Sequence, residues 1–400
     1  MRQFKCIGSH CEDTCCIGWE VYIDHDTYRK YRRITDPELR QELDSCIKRN
    51  RSQAGEQNYA LIKMDPGKAC PLMNEESLCR IQLRLGEEFL SDICATYPRI
   101  VNLVNNVLER SATMSCPEAA RLALLNPEEM EFDELAESVE TRNIISRQID
   151  THGLAVAKKA ERYFWELRIF TIQVLQNRNY SLAERLIILG MFYHRVQNQI
   201  DAGQVEDIPR IIALYTNLLA GNELRAELAS IPTQVTIQLE LMKELTDERV
   251  VKGVSSRTYL ECYTQFLHGV QYIREATVEE IAARYQEAEE TYYRPFMERH
   301  EYILENYLVN YVFKNLFPFS GEKNLFDNYV MMVFHYALIK MHLIGMAAFH
   351  RGLTEEVVIK LIYSFARVVE HSPQYLQHVL RLLKDNGYDT MAYMAILIKN

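Results

Sequence analysis

Cys6, Cys11, Cys15 and Cys16 fall within eleven residues, and Cys70, Cys79, Cys94 and Cys116 add four more thiols before residue 117. Thiolates are soft donors that select zinc or iron–sulfur clusters, and a four-iron cluster takes four of them. A subset of four of these eight cysteines is therefore expected to ligate a metal centre. Adjacent Cys15 and Cys16 do not easily point at one centre, and the spacing is not the two close pairs of a zinc ribbon. Spacing alone leaves cluster and zinc both open, beside the plainer reading of buried, unligated cysteines with a fold-stabilising zinc. Cys46 and Cys262 lack cysteine neighbours in sequence and are expected to pack. The start Met1-Arg2-Gln3-Phe4-Lys5-Cys6 has no apolar export signal, so a reducing, cytoplasmic setting is expected rather than a disulfide framework.

Other residues could serve cationic ligands. Glu298, Glu301 and Glu305 follow helical spacing, and Tyr307 and Tyr311 stand four apart beside Asn306 and Asn310. Carboxylates, hydroxyls and aromatic faces suit a cationic group, but the blander reading is a solvated acidic face over a tyrosine-rich core. Asp327, Tyr329, His335, Tyr336 and His342 lie on a mostly apolar helix and are expected to bond internally. Arg80 and Arg99 stand close to cysteines, where they could hold a cofactor carboxylate or offset thiolate charge. Arg80, Arg99, Tyr307 and Tyr311 are thus the candidate cofactor-binding residues, and no catalytic base stands out. The chain has no Gly-x-Gly, which disfavours a Rossmann-like nucleotide site. Cys11-x3-Cys15-Cys16 has the first gap of the radical motif C-x3-C-x2-C but not the second, and no barrel pattern accompanies it.

Forty-five Lys and Arg against 55 Asp and Glu give a net charge of −10, with 48% hydrophobic residues in 400. These are the proportions of a globular chain, and the acidic balance argues against a nucleic-acid partner. Residues 1–125 carry short, mixed signals: a strand at Trp19–Ile23 with Asp24 or Asp26 capping a following helix, a tight loop joining Cys70 to Cys79, and a hairpin over Arg99–Met114 turning at Asn105-Asn106. Ser115-Cys116-Pro117-Glu118 reads as a capping box that places Cys116 at a helix N-terminus, where the dipole favours thiolate. An acidic linker spans 126–142. Helical periodicity then predicts helices near 155–177, 181–201, 208–220, 234–246, 256–274, 278–292, 296–315, 325–350, 354–371, 373–385 and 388–399, with no fixed repeat. The stretch 325–350 includes Asp327, His335, Lys340 and His342 and reads as a buried helix, so no membrane span is expected. The fold class is mainly α: a small cysteine-rich α+β metal-cluster domain at 1–125, then a large irregular all-helical domain at 143–400.

Phe4-Lys5-Cys6-Ile7-Gly8, Cys11-Glu12-Asp13-Thr14-Cys15-Cys16-Ile17-Gly18-Trp19, Cys70-Pro71-Leu72 and Leu78-Cys79-Arg80-Ile81-Gln82 resemble the flagellin lysine-N-methylase family. So do Cys94-Ala95-Thr96-Tyr97-Pro98-Arg99 and Ser115-Cys116-Pro117-Glu118-Ala119-Ala120-Arg121. Glu305 to Phe313 and the Tyr329-to-Met346 helix also fit, so the resemblance runs close to full length. The N-terminal part is also similar to a zinc- or iron-chelating cysteine-cluster family that starts C-x2-C-x2-C-C, whereas the gaps here are four and three. The resemblance implies a cytoplasmic, S-adenosyl-L-methionine-dependent protein-lysine N-methyltransferase acting on flagellin, with a 4Fe-4S cluster or, alternatively, zinc. The residues alone also allow a noncatalytic zinc- or iron–sulfur-binding interaction or sensor protein, or an enzyme using a cluster for other redox chemistry.

Overall fold

The computed structural model describes residues 3–52, 55–65, 69–136, 142–154, 156–221, 224–254 and 256–399. Its first part contains β1 (Tyr22–Ile23), α1 (His25–Tyr31), α2 (Pro37–Cys46), β2 (Ile47–Arg49), β3 (Ala60–Ile62), α3 (Arg80–Leu85), α4 (Asp92–Thr96), β4 (Arg99–Val104), β5 (Val107–Ala112) and α5 (Pro117–Leu124). Asp24 caps α1 as the sequence suggests, its Oδ1 accepting from the Thr27 N–H at 2.7 Å. One small sheet has the order β1-β3-β2. In the other, β4 and β5 form the expected hairpin, with Asn105 and Asn106 at φ 47° and 66°, the left-handed pair that a two-residue turn between twisted strands requires. This sheet gains a parallel edge strand, β6 (Ile145–Ile149), which the sequence reading missed. Ile145 to Gln148 are all exposed, so β6 has no buried face to leave an alternating pattern.

The rest is helical: α6 (Phe164–Leu175), α7 (Leu182–Asp201), α8 (Ile208–Gly221), α9 (Arg225–Ser230), α10 (Val235–Val251), α11 (Arg257–Gly269), α12 (Val278–Ala288), α13 (Arg294–His300), α14 (Tyr302–Lys314), α15 (Leu325–His350), α16 (Glu355–Phe365), α17 (Pro373–Asp385) and α18 (Met391–Ile398). Several predicted helices need correction. The one placed over 155–177 begins as a 3-10 turn at Ala160–Tyr163, and residue 155 lies outside the described residues. That over 296–315 divides into α13 and α14 at Glu301. Those over 278–292 and 354–371 end in π-helical turns, Glu289–Tyr293 and Ala366–Glu370. Pro295 does not break the chain: the π turn Glu289–Tyr293 runs directly into α13, and Pro295 is the second residue of that helix. The short α9 was not anticipated.

The centre of the fold is α15. It is long and apolar enough to cross a membrane by composition, but its most apolar window is wholly buried in protein. Its closest neighbour is α11, because neither helix carries a side chain where they cross. A Cβ on Gly269 would lie 1.8 Å from the Gly345 carbonyl oxygen, and one on Gly345 would lie 2.8 Å from that of Phe266.

His342 lies in this core. Its Nδ1 donates to the Leu338 carbonyl at 2.8 Å, leaving Nε2 to accept from the Tyr259 hydroxyl at 3.3 Å. Burial pushes its pKa from 6.5 down to about 4. The unfolded chain therefore binds a proton that the folded chain refuses between those values, and stability falls as pH drops from 6.5 towards 4. Urea titrations at about pH 7 and about pH 5 should show this loss in the wild type and a smaller one in His342→Leu. Equal losses would exclude His342 as its source.

Candidate active site

The structure sorts the eight candidate thiols into two groups. The first gathers around Cys94. The Cys70 N–H donates to the Cys16 carbonyl at 2.8 Å, and a one-residue β-bridge pairs Met73 with Cys79. This is the tight loop expected from the spacing, and it brings Cys70 and Cys79 beside Cys15-Cys16. Burial pushes the Cys94 thiol up to about 12; the nearby Ser91 side chain opposes this, while the Cys79, Cys15 and Cys70 thiols add to it. Cys70 rises to about 11, chiefly by burial and then through Cys79 and Cys46. Cys15 is raised by its hydrogen bond with Cys16 and by burial. The second group is Cys6, Cys11 and Cys116. Cys116 does begin α5, but burial outweighs the N-terminal amides and holds its thiol at about 11, so the expected thiolate is not favoured. Cys262 stands apart, buried beside Ser364 and Lys360.

Among the described residues, no three or more His, Cys, Asp or Glu side chains converge closely enough to hold a metal ion. The donor chemistry still fits a soft centre. Cys15, Cys70, Cys79 and Cys94 share one neighbourhood in which each thiolate would repel the others, and a bound cation reverses that repulsion.

The acids between the cysteines anchor this segment to the helices. Asp13 pairs with Arg367 at 2.9 Å, and Glu12 with Arg121 of α5 at 2.6 Å. Where the segment meets α16 lies a cavity of about 280 Å³, with Cys15, Trp19, Tyr97, Arg99, Ser115 and His371 in its wall. The Trp19 and Tyr97 rings stand 5.8 Å apart, and Trp19 is fixed by its Nε1–H donating to the Cys15 carbonyl at 2.7 Å. The Ser115 hydroxyl reaches Tyr97 Oη at 3.2 Å, Thr113 Oγ1 at 3.1 Å and His371 Nε2 at 2.8 Å. Ser115 is therefore not the cap of α5. The N-cap is Cys116, which makes no side-chain cap bond, and Ser115 turns its oxygen into this network instead. His371 opens to solvent through the cavity; the protein wall around its ring lowers its pKa, with Glu370 acting in the opposite sense. Arg367 and His371 come from the π turn ending α16, a distortion found often at functional sites.

The four candidate cofactor residues are not brought together. Arg99 lies in the cavity wall, 5.5 Å from the Phe4 ring centre, and makes no ion pair among the described residues. Arg80 is held by Glu42 at 2.6 Å and the Pro71 carbonyl at 3.0 Å. Tyr307 is buried and donates to Glu370 at 2.7 Å; Tyr311 lines a separate polar cavity with Lys314, His335 and Glu370. Glu305 is not on a solvated face: it is buried and accepts from Arg178 and Arg185. Sequence reasoning missed Asp13, Trp19, Tyr97, Ser115, Arg367 and His371. Most lie within a few residues of a cysteine, the one signal that could have marked them, whereas Arg367 and His371 arrive by tertiary packing alone.

Fold and cavity together define a mainly helical protein with a small, partly aromatic pocket that has Cys15 in its wall. Residues 168–397 match the family described as FliB lysine N-methylase C-terminal domain. A protein named Lysine-N-methylase from Salmonella typhimurium is 26% identical over 397 residues, covering 95% of this chain and 93% of the relative. Its namesake from Salmonella choleraesuis gives the same figures, 26%, 95% and 93%. A protein named Flagellar biosynthetic protein FliU, from Salmonella muenchen, is 34% identical over 138 residues, which are 34% of this chain and 79% of that one. No solved structure matches. The chain belongs to the FliB lysine N-methylase family and is a lysine N-methyltransferase.

Proposed function

We propose that this chain methylates lysine side chains of flagellin in the cytoplasm, using S-adenosyl-L-methionine, at the cavity bounded by Cys15, Trp19, Tyr97 and His371, and that Cys15, Cys70, Cys79 and Cys94 hold a 4Fe-4S cluster beside it. One observation carries the location: Cys15, an aromatic pair, an Arg99 with no ion pair among the described residues and the Tyr97–Ser115–His371 network all reach a single cavity. The names of the relatives support a flagellar setting.

When bound, S-adenosyl-L-methionine supplies a methyl group on a sulfonium that departs as a neutral thioether. The cavity wall fits such a molecule. Arg99 offers its guanidinium to the carboxylate, and the Trp19 and Tyr97 faces suit a sulfonium and an ammonium. The lysine must lose a proton before its lone pair attacks, and must line up with the breaking bond. Ser115 Oγ lies within hydrogen-bond reach of both Tyr97 Oη and His371 Nε2, so a proton leaving the ammonium can pass through the hydroxyls to the neutral imidazole and on to solvent. Cys15, with Ile17 and Gly18, closes that side of the cavity against water.

Coexpression with the native flagellin, followed by mass spectrometry of its lysines, tests this reading. Methyl increments are expected with the wild type, with at least a tenfold loss, or about 1.4 kcal/mol, in Tyr97→Phe/His371→Ala. An unmethylated flagellin in the presence of metal-replete protein and donor would overturn it.

A further inference from the structure

A second cavity, of about 840 Å³, lies between α5, α14, the end of β5 and the acidic segment after α5. We propose that it is the docking groove for the lysine-bearing segment of the protein substrate, an inference that rests on the lysine-methylation reading. Glu128, Glu129 and Glu131 form its rim; all three are exposed, and none makes an ion pair among the described residues. The cations of the wall are already engaged, Arg178 by Glu305 at 2.8 Å and Arg110 by Asn143 at 3.0 Å. The rim therefore presents net negative charge to whatever enters, only partly offset by Arg178, which feels Glu128 and Glu129.

Deeper in the wall, two buried polar atoms lack partners among the described residues. Asn306 is 1% exposed and spends its amide N–H groups on the Leu124 and Asn126 carbonyls, leaving Oδ1 unpaired. The Ser111 hydroxyl, on a residue 7% exposed, is also unpaired. Buried acceptors without donors are uncommon in folded proteins and are satisfied when a donor-rich ligand arrives. Phe132, stacked 4.5 Å from Phe313, adds an aromatic face for aliphatic stems or ammonium heads. Carboxylates outside, acceptors within and aromatic rings between match a polypeptide carrying lysines and its own N–H groups.

The groove also adjoins the candidate active site. Phe4 lines the groove and lies under Arg99, which lines the first cavity; Ala112 and the next residue, Thr113, contribute one to each. A segment seated in the groove thus has the first cavity at its end.

The test is the variant Glu128→Gln/Glu129→Gln/Glu131→Gln, whose changes lie on an exposed, irregular segment. Its control, Glu227→Gln/Glu240→Gln/Glu244→Gln, removes equal charge from exposed positions on α9 and α10. The expected result is a rise of about tenfold in KM for flagellin, steepest at low salt, with kcat and KM for the methyl donor held within about twofold and no such rise in the control. An unchanged KM for flagellin would overturn the inference, as would a rise confined to the donor, which would make the groove a cofactor site. A synthetic lysine–serine peptide separates this from failure of the enzymatic reading. Should the wild type not methylate flagellin at all, salt-sensitive binding of that peptide, lost in the groove variant and kept in the control, still upholds the groove, and equal binding by all three overturns it.

Discussion

Serine in place of Cys94 is expected to abolish the proposed iron–sulfur centre and with it the methylation of flagellin. Cys94 is the thiol whose pKa Cys79, Cys15 and Cys70 all help to raise, and a serine hydroxyl is a hard, weakly acidic donor that does not replace a thiolate on iron. Anaerobically purified wild type should carry about four irons and four sulfides with broad visible absorption, and Cys94→Ser or Cys79→Ser should fall close to none. The two groups of thiols make the prediction specific. Cys116→Ser, in the other group, and Cys262→Ser, beside Ser364, should keep both iron and colour. Unchanged iron in Cys94→Ser would remove this group as the ligand set, and a colourless protein with stoichiometric zinc would replace the cluster itself.

Replacing Glu305 by Leu should destabilise the fold by about 3–5 kcal/mol, measured from the urea midpoint. Arg185 is 2% exposed, and its partners among the described residues are Glu305 at 2.6 Å, Glu301 at 2.9 Å, and the Tyr180 and Leu175 carbonyls at 2.7 Å each. Glu305 also binds Arg178 at 2.8 Å. Removing this carboxylate leaves a buried guanidinium with only the half-exposed Glu301 as counter-charge, and the cost of an uncompensated buried charge exceeds the net worth of the pair. Arg185→Met in the same chain should return part of the loss. A decrease below about 1 kcal/mol in the single variant would mean that water reaches Arg185 in solution.

The same residues show what could be read from the sequence. The spacing of Glu298, Glu301 and Glu305 predicts one face of a helix, yet the structure puts Glu298 in solvent, Glu301 at the boundary and Glu305 in the core, because α13 and α14 meet at Glu301 and no single face runs through all three. Helical period and the Gly and Pro breaks place α7, α8, α15 and α17 nearly to the residue, since each buries a continuous apolar stripe or, for α15, its whole circumference. The π turns stay invisible, because they arise where packing, not propensity, demands an extra residue. The thiol spacing is legible as soft-donor chemistry, but its division into two groups depends on how Cys94 and Cys116 fold back. Ser115 looks like a helix cap until His371, 256 positions away, claims its oxygen.

The π turn at Ala366–Glu370 acts as a phase shifter in α16. An ordinary helix advances each side chain by about 100° around its axis, whereas the extra residue here unwinds the ladder just before the helix stops. The result is a division of labour along one short turn: Arg367 and His371 look towards the thiol-walled cavity, while Glu370, lying between them, faces away to Tyr307 and Lys314. The cavity lined by Cys15 and His371 and the polar cavity lined by Tyr311, Lys314 and Glu370 thus share a partition only one turn thick. Any length change in this stretch resets the bearing of every group after it, so the spacing from Phe365 to Pro373 is as much a part of the site as the residues that line it.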